Sequence, residues 1–501
     1  MSSSSSSQGT TRPFKGSKNS SSQNPHIKVK IDQHFKAKVY TSGSTIAGHV
    51  AVHASRDTSF DDLDIVLVGI SATRLDFVQQ YPSHSFRPFL KIRMPVPESH
   101  LPEDRLFRAG CRYAIPFHFV VPHHLTIGAC NHGCSSPDVR ERHLRLPPSL
   151  GVWDADDQAP DMTQIEYAIN AKAIQRGNVG AAVKVMEAHH ILKVLPSLPE
   201  DAPLDVTPGD EWYKPSKTKT IRKSLFSSKT GQFTASALQP NAVMLSADGH
   251  KSSMTNVRVN LEYAPSSAET APPKINSVTG KLVSTTFFSA VPVDHLPNLG
   301  SRTNCQSTPC LNYTTTHSLF ALPVESVSWA QRDASSQSRR DSGYSSTVAE
   351  GEASETDASR RRRRQSGKGR RGSKKPKVPT TKHATNLEIP FTVSSSNKKL
   401  FLPSFHSCLI SRAYTLQLTL SVGPTNTAIA LAVPLQIGVE TAYEPQGDEL
   451  PTFESAVAQA EGGEADAYLE PRGMRAPESE LQSNTLLPGY NELGRRTMSV
   501  A

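Results

Sequence analysis

An all-β protein built from β-sandwiches is what this sequence predicts, on three observations. Apolar residues recur with period two over short runs, and no long segment carries the 3.6-residue period of a helix. Proline, at 37, outnumbers glycine, at 29, which suits strands and turns better than a helical bundle. Polar, Ser-rich stretches bracket and interrupt the apolar patterning, so that the strands fall into two blocks. The 501 residues have room for two or three ordinary domains.

Composition removes several classes of protein. Six cysteines are too sparse for a disulfide scaffold. No apolar run nears the roughly 20 residues of a membrane helix; the longest, Ala428 to Ile437, is interrupted by Pro434. The opening serine run, Ser2 to Ser7, is not a charged-then-apolar leader, so a soluble, intracellular chain is expected. Eleven of the 55 basic residues lie between Arg360 and Lys377, a stretch without an acid. Without that stretch acids slightly outnumber bases, so the formal charge of +9 reports one segment and not a nucleic-acid-binding face.

Along the chain, residues 1–25 offer almost nothing to bury and are expected to be disordered. Alternation starts at His26, with Ile27, Val29 and Ile31, then Phe35, Ala37 and Val39, and then a Thr41-Ser42-Gly43-Ser44 turn before Ile46. Leu63 to Ile70 is β-branched and apolar enough for a buried strand, and Tyr113 to Pro122 is another whose prolines demand an edge or a bend. Ile165 to Ala171 and Val183 to Val185 alternate cleanly. A polar, Pro-rich connector is expected over 196–230. Val257, Val259, Leu261 and Tyr263 then share a face, as do Leu282, Ser284 and Thr286, and Ser318 to Trp329 reads as a further strand or pair. Residues 331–385 are Ser, Arg, Glu and Lys with scarcely an aromatic, which predicts a disordered insertion. Strands resume at Ile389, Phe391 and Val393, continue through Leu416 to Val422, and finish with Ile429 to Val439. The expected organisation is therefore a sandwich over 26–195, the connector, a second sandwich over 231–443 split by the insertion, and a disordered tail over 444–501.

Three stretches carry a resemblance. They are Tyr113-Ala114-Ile115-Pro116-Phe117-His118-Phe119-Val120-Val121-Pro122; Leu146-Pro147-Pro148-Ser149-Leu150-Gly151 followed by Ile165-Glu166-Tyr167-Ala168-Ile169; and Pro403 to Tyr414, which ends in Ile410-Ser411-Arg412-Ala413-Tyr414. In this order they resemble the fungal branch of the arrestin-like family, the arrestin-related trafficking adaptors, over roughly 26–195 and 215–443. The resemblance implies two tandem immunoglobulin-like sandwiches in the arrestin fold, with no active site; no cofactor or metal is expected either. It also implies an adaptor that recognises cytoplasmic tails of membrane transporters or receptors. Such an adaptor brings them a WW-domain ubiquitin ligase of the HECT type for endocytosis and sorting. The implied location is cytoplasmic, peripheral to the plasma membrane or endosomes.

Leu487-Pro488-Gly489-Tyr490 matches a WW ligand. Its proline holds a polyproline II backbone at low entropic cost, and the tyrosine fills a neighbouring pocket of the aromatic-lined groove. Leu450-Pro451-Thr452-Phe453 has the same shape without the hydroxyl, a weaker second site. A flexible tail from Tyr443 to Tyr490 would span about 35–40 Å r.m.s..

Arg360, Arg361, Arg362, Arg363 and Arg364, with Lys374, Lys375 and Lys377, admit three readings. One is attraction to anionic lipid, at about 1 kcal/mol per charge near the surface. The others are nuclear import and a solvated, self-repelling linker. Ser342, Ser366 and Ser373 each follow an arginine pair, and phosphorylation there would reverse local charge and offer a site to a phosphoserine-binding protein. Asp341-Ser342-Gly343-Tyr344-Ser345-Ser346 also resembles a phosphodegron.

Cys130-Asn131-His132-Gly133-Cys134, with His123, His124 and His143 near in sequence, has spacing that zinc would accept. Against zinc stand the lack of a second paired-cysteine motif and the awkward place of His132 between the cysteines, so a plain interstrand loop is expected. Cys305 and Cys310 receive no role. Asn312-Tyr313-Thr314 is a formal glycosylation sequon, but Tyr313 reads as part of a strand. No nucleophile elbow, P-loop, dinucleotide fingerprint or His-Glu-x-x-His motif is present. The alternatives to a ligase adaptor are an arrestin-fold sorting scaffold without a ligase and a nuclear or signalling scaffold read through the basic run.

Overall fold

The computed structural model describes residues 26–75, 83–176, 182–207, 209–224, 227–267, 269–299, 310–333, 381–394 and 398–441. The first stretch of elements is β1 (His26–Ile31), β2 (Val39–Tyr40), β3 (Thr45–His53), β4 (Thr58–Ser59), β5 (Asp62–Leu75), β6 (Ser83–Met94), β7 (Leu106–Phe107), β8 (Arg112–Val120), α1 (Pro137–His143), β9 (Thr163–Arg176) and β10 (Ala182–Val194). The second is β11 (Ser216–Arg222), β12 (Lys229–Ala237), β13 (Val243–Leu245), β14 (Thr255–Pro265), β15 (Ile275–Phe288), β16 (Leu311–Pro323), β17 (Ala330–Asp333), β18 (Thr381–Phe391), β19 (Phe405–His406), β20 (Ile410–Val422), β21 (Thr427–Leu435) and β22 (Ile437–Val439). The described chain is thus nearly all β, and no helix in it is long and apolar enough to cross a membrane.

Period-two sequence becomes sheets with one buried face. In β8, Ile115, Phe117 and Phe119 point inward while Ala114, Pro116 and His118 face out, and in β14 the inward row is Val257, Val259, Leu261 and Tyr263. Each such Val, Ile or Phe contributes about 1.5–3 kcal/mol by leaving water. The sheets run β1-β3-β8, β2-β10-β9-β5-β6, β11-β12-β14-β18-β17 and β16-β15-β20, with β19 and β21 both paired to β20. Their inward rows join one continuous apolar core from Ile27 to Val439. Pro116 lies on β8, an edge strand, where a missing N–H costs no ladder bond.

Several boundaries differ from those the pattern suggests. Phe35 is 59% exposed, and the chain turns where Lys38 N–H donates to the Phe35 carbonyl, so only Val39–Tyr40 pairs. β11 lies inside the expected connector; it buries only Ile221, and an edge strand alternating Thr with Lys has no apolar signature. Both ends of the expected insertion are strand: β17 runs to Asp333 and β18 starts at Thr381, with His383 buried beside the Tyr263 ring. The expected last strand, 429–439, is two. The chain breaks at Gln436, whose side chain accepts from Asp201 N–H, and β22 leaves to pair in parallel with β13.

The β1–β3 crossing tolerates no side chain at Gly48, because a Cβ there would lie 2.1 Å from the Lys30 carbonyl oxygen and 2.9 Å from the Phe117 ring. Gly48→Ala is expected to cost about 1–3 kcal/mol, the usual range for overpacking, read as a lowered denaturant midpoint at unchanged slope.

At the foot of β10, the His34 ring bonds Tyr40 Oη at 3.0 Å through Nδ1 and His190 at 3.2 Å through Nε2. Burial, helped by Lys193 and Lys38, pushes the His34 pKa down; burial, helped by His34 and His189, does the same to His190. The unfolded chain therefore takes up these protons first. Their contribution is whole above about pH 6.5 and is lost as pH falls through the depressed folded values. His34→Gln should flatten the fall of melting temperature between about pH 7.5 and pH 5, and an unaltered slope would remove the pair from that role.

Candidate functional site

Two of the segments singled out by sequence, 146–169 and 403–414, meet where the sheets of residues 26–194 pack on those of 216–439. Residues 410–414, which open β20, are buried on both faces, so the side chain of Arg412 has no route to water. Its guanidinium is fully enclosed and answered bond by bond. Nε donates to Thr286 Oγ1 at 2.8 Å, Nη1 and Nη2 both donate to the Asp157 carbonyl at 3.2 Å, and Nη2 donates to the Gln158 carbonyl at 3.1 Å. Tyr414 Oη, 3.4 Å from Nη1, donates to the Leu402 carbonyl at 2.6 Å.

The acceptors come from the loop after Leu146-Pro147-Pro148-Ser149-Leu150-Gly151. That loop is pinned from its own side. Tyr167 Oη donates to the Pro147 carbonyl at 2.7 Å, Trp153 Nε1 to the Ser149 carbonyl at 2.7 Å, and Val194 N–H to Ser149 Oγ at 2.9 Å. Gly151 sits at φ +75°, where a Cβ would be strained, and its N–H reaches Asp157 Oδ2 at 2.6 Å. Gln158 adopts φ +59° without being glycine. It is held there by Arg412, by Thr315 Oγ1 donating to its Oε1 at 2.7 Å, and by Nε2 donating to the Leu400 carbonyl at 3.4 Å. Asp156 and Leu400 then exchange strand-like bonds, Asp156 N–H to the Lys398 carbonyl and Leu400 N–H to the Asp156 carbonyl, each 2.9 Å. Burial raises the Asp157 pKa, while the Gly151 N–H and the Arg412 charge pull it back. Tyr414 and Tyr167 are raised by burial as well.

A second polar tie lies beside the first. Asp201 accepts from Arg142 Nη1 at 2.9 Å through one oxygen and from Arg145 Nη1 at 2.6 Å through the other. Its backbone N–H donates to Gln436 Oε1 at 2.9 Å, so the end of α1 is joined to the β21–β22 break. Ser136 caps α1 by accepting from Val139 N–H, with Pro137 next in line, a start signal the strand pattern obscures.

The third grouping can hold a metal. Cys130 Sγ lies 3.6 Å from Cys134 Sγ, 3.7 Å from His143 Nδ1 and 3.4 Å from His132 Nε2, and Cys134 Sγ is 3.8 Å from His143 Nδ1. Cys408, in the turn between β19 and β20, joins Cys130, His132 and His143 in a set whose donor atoms all lie within 4.8 Å of one another. The neighbourhood is closed by Arg87, which donates to the Ala129 carbonyl and to Asn131 Oδ1. Burial, then the nearby His132 and Arg87 charges, lowers His143 to about 4; burial and Cys130 raise Cys134 to about 11 and Cys408 to about 12.

The sequence offers Cys130, His132 and Cys134 with His123, His124 and His143, and its lack of a second paired-cysteine motif favours a plain interstrand loop over zinc; the structure instead gathers Cys130, His132 and His143 with Cys408. Cys408 was the missing member, and only the β19–β20 turn brings it there. His123 and His124 are not in the group. Tyr313 lies on β16, as its pattern suggests. Leu487, Pro488, Tyr490, Leu450, Pro451 and Phe453 lie outside the described residues, as do Ser342, Ser366, Ser373, Arg360 to Arg364, Lys374, Lys375 and Lys377. No protein-family model matches the chain, and no curated protein matches it.

Removing Arg412 leaves two carbonyls and a buried carboxylate without their cation. Arg412→Met is expected to lose about 3–5 kcal/mol in chemical denaturation, with part recovered by adding Asp157→Asn. A loss below about 1 kcal/mol would show that the seam does not depend on the guanidinium.

Proposed function

We propose that the protein is a non-enzymatic adaptor of the arrestin-like kind. In this reading two β-sandwiches recognise the cytoplasmic tail of a membrane transporter or receptor. Leu487-Pro488-Gly489-Tyr490 docks a WW-domain ubiquitin ligase, with Leu450-Pro451-Thr452-Phe453 as a weaker second site. The work is done in the cytoplasm at the plasma membrane or endosomes. Phosphorylation at Ser342, Ser366 and Ser373 tunes the basic run from Arg360 to Lys377.

One observation supports the reading: two of the three stretches on which the resemblance rests come together through the loop at Asp157 and Gln158. Arg412 of Ile410-Ser411-Arg412-Ala413-Tyr414 is held by the loop that follows Leu146-Pro147-Pro148-Ser149-Leu150-Gly151, and Tyr167 of the next strand is bonded to Pro147. The chemistry asked of such a protein is positioning. A ligase tethered to the cargo meets its lysines at an effective concentration in the mM range when linker reach allows.

The test is titration of isolated WW domains into the full chain, wild type against Tyr490→Ala. Binding in the µM range that weakens at least tenfold on substitution is expected. Binding lost only with Phe453→Ala would move the docking site upstream, and no binding to a panel of WW domains would leave a sorting scaffold without a ligase.

A further inference from the structure

The Cys–His cluster has the dimensions of a coordination sphere. Around a tetrahedral zinc with bonds of about 2.3 Å to sulfur and about 2.0–2.1 Å to nitrogen, two sulfurs stand about 3.8 Å apart and a sulfur and a nitrogen about 3.6 Å. The edges from Cys130 Sγ, 3.4 Å to His132 Nε2 and 3.7 Å to His143 Nδ1, fall at that spacing. Cys408 closes the set, with all four donor atoms within 4.8 Å of one another and three of the four residues buried. His132 is already oriented for the task. Its Nδ1 is 2.8 Å from the Gly133 carbonyl, so Nδ1–H donates there and the Nε2 lone pair faces Cys130, the outer-shell arrangement that metal-binding histidines use.

We propose that Cys130, His132, His143 and Cys408 bind one zinc ion, and that the ion staples the Cys130–Cys134 turn and the end of α1 to the turn that opens β20. Binding replaces two thiol protons, which leave to solvent, with two Zn–S bonds. Two thiolates balance the ion's charge and two neutral imidazoles complete the tetrahedron, so a neutral centre is buried. Cys134, 3.6 Å from Cys130, stands beside this set as a flanking thiol. The staple adds to bonds that already tie each of these turns to the stretch from Ser289 to Asp294. Ser135 N–H donates to the Asp294 carbonyl at 2.7 Å, Val293 N–H to the Cys408 carbonyl at 2.8 Å and Ser289 N–H to the Leu409 carbonyl at 3.0 Å. Nothing in this proposal depends on ligase recruitment.

The full chain, expressed with added zinc and purified without chelator, should carry about one zinc per molecule by elemental analysis. Exchange for cobalt should give the visible bands of a tetrahedral ion and thiolate-to-cobalt charge transfer in the near ultraviolet. Cys130→Ser and Cys408→Ser should abolish both signals, while Cys134→Ser keeps them. If Cys408→Ser fails to fold, alkylation of the wild-type chain decides. Cys130 and Cys408 should be protected with zinc and labelled after chelation, with exposed Cys111 labelled throughout. A chain that takes up neither ion, or that carries a Cys130–Cys134 disulfide, overturns the site. Metal retained by Cys408→Ser and lost by Cys134→Ser confines the ligands to the turn and α1 and overturns the staple.

Discussion

A guanidinium with no access to water is the constraint around which the described structure is arranged. Enclosing such a cation costs several kcal/mol unless its donors are met with good geometry. The acceptors at Arg412 are main-chain carbonyls and a threonine hydroxyl, supplied by segments far apart in sequence. Because carbonyls cannot be moved without moving the chain, the loop through Asp157 and Gln158 is fixed to within hydrogen-bond tolerance. Its left-handed Gln158 is the conformational cost of bringing two successive carbonyls to one cation. An apolar strand at this place would pack as well, yet it would accept many arrangements of the neighbouring loop; the charge accepts few.

The three polar groupings at the seam differ in what they tolerate. The Arg412 site is dry and all-or-none. Asp201, with its side chain only partly buried between Arg142 and Arg145, is a two-armed ion pair whose strength falls with salt. The Cys–His cluster answers to metal supply and oxidation instead of ionic strength. Two of the three, the Arg412 site and the Cys–His cluster, involve the β19–β20 turn or β20 itself, so β20 is where the two groups of sheets are kept in register. Its pairing reflects this, with β19 taking Ser411 and Arg412 and β21 taking the rest of the strand from Tyr414.

How much of this the sequence discloses follows from what each residue is asked to do. Strands with one wet face announce themselves, as β8, β9, β14 and the second half of β20 do. An edge strand such as β11 does not: it alternates Thr with Lys and buries only Ile221, so little of its surface meets the core. β18 is hidden for a similar reason, because Thr381 to Thr385 resembles the polar stretch before it. The Arg412 segment was visible as a motif, but a buried arginine is spelled like an exposed one, and its acceptors are carbonyls that any residue provides. The cluster shows the same limit in another form. Four of its five members lie within fourteen residues, whereas the fifth, Cys408, is more than 260 residues away in a turn with no cysteine pattern of its own.

The bond from Arg412 to the Asp157 carbonyl spans 255 residues, and that interval has a clock attached to it. A ribosome adding about 5–20 residues per second needs roughly 13–50 seconds to deliver the cation after the carbonyl has emerged. For that time the loop at Asp157, the imidazole of His143 and the thiol of Cys130 wait at the flank of sheets that have their own strands but not their polar counterparts. The nascent chain therefore passes through a long, half-finished stage with polar atoms and an apolar flank uncovered. Slow codons or an early stop before β20 would prolong it, and chaperone demand should track the time taken to complete that one strand.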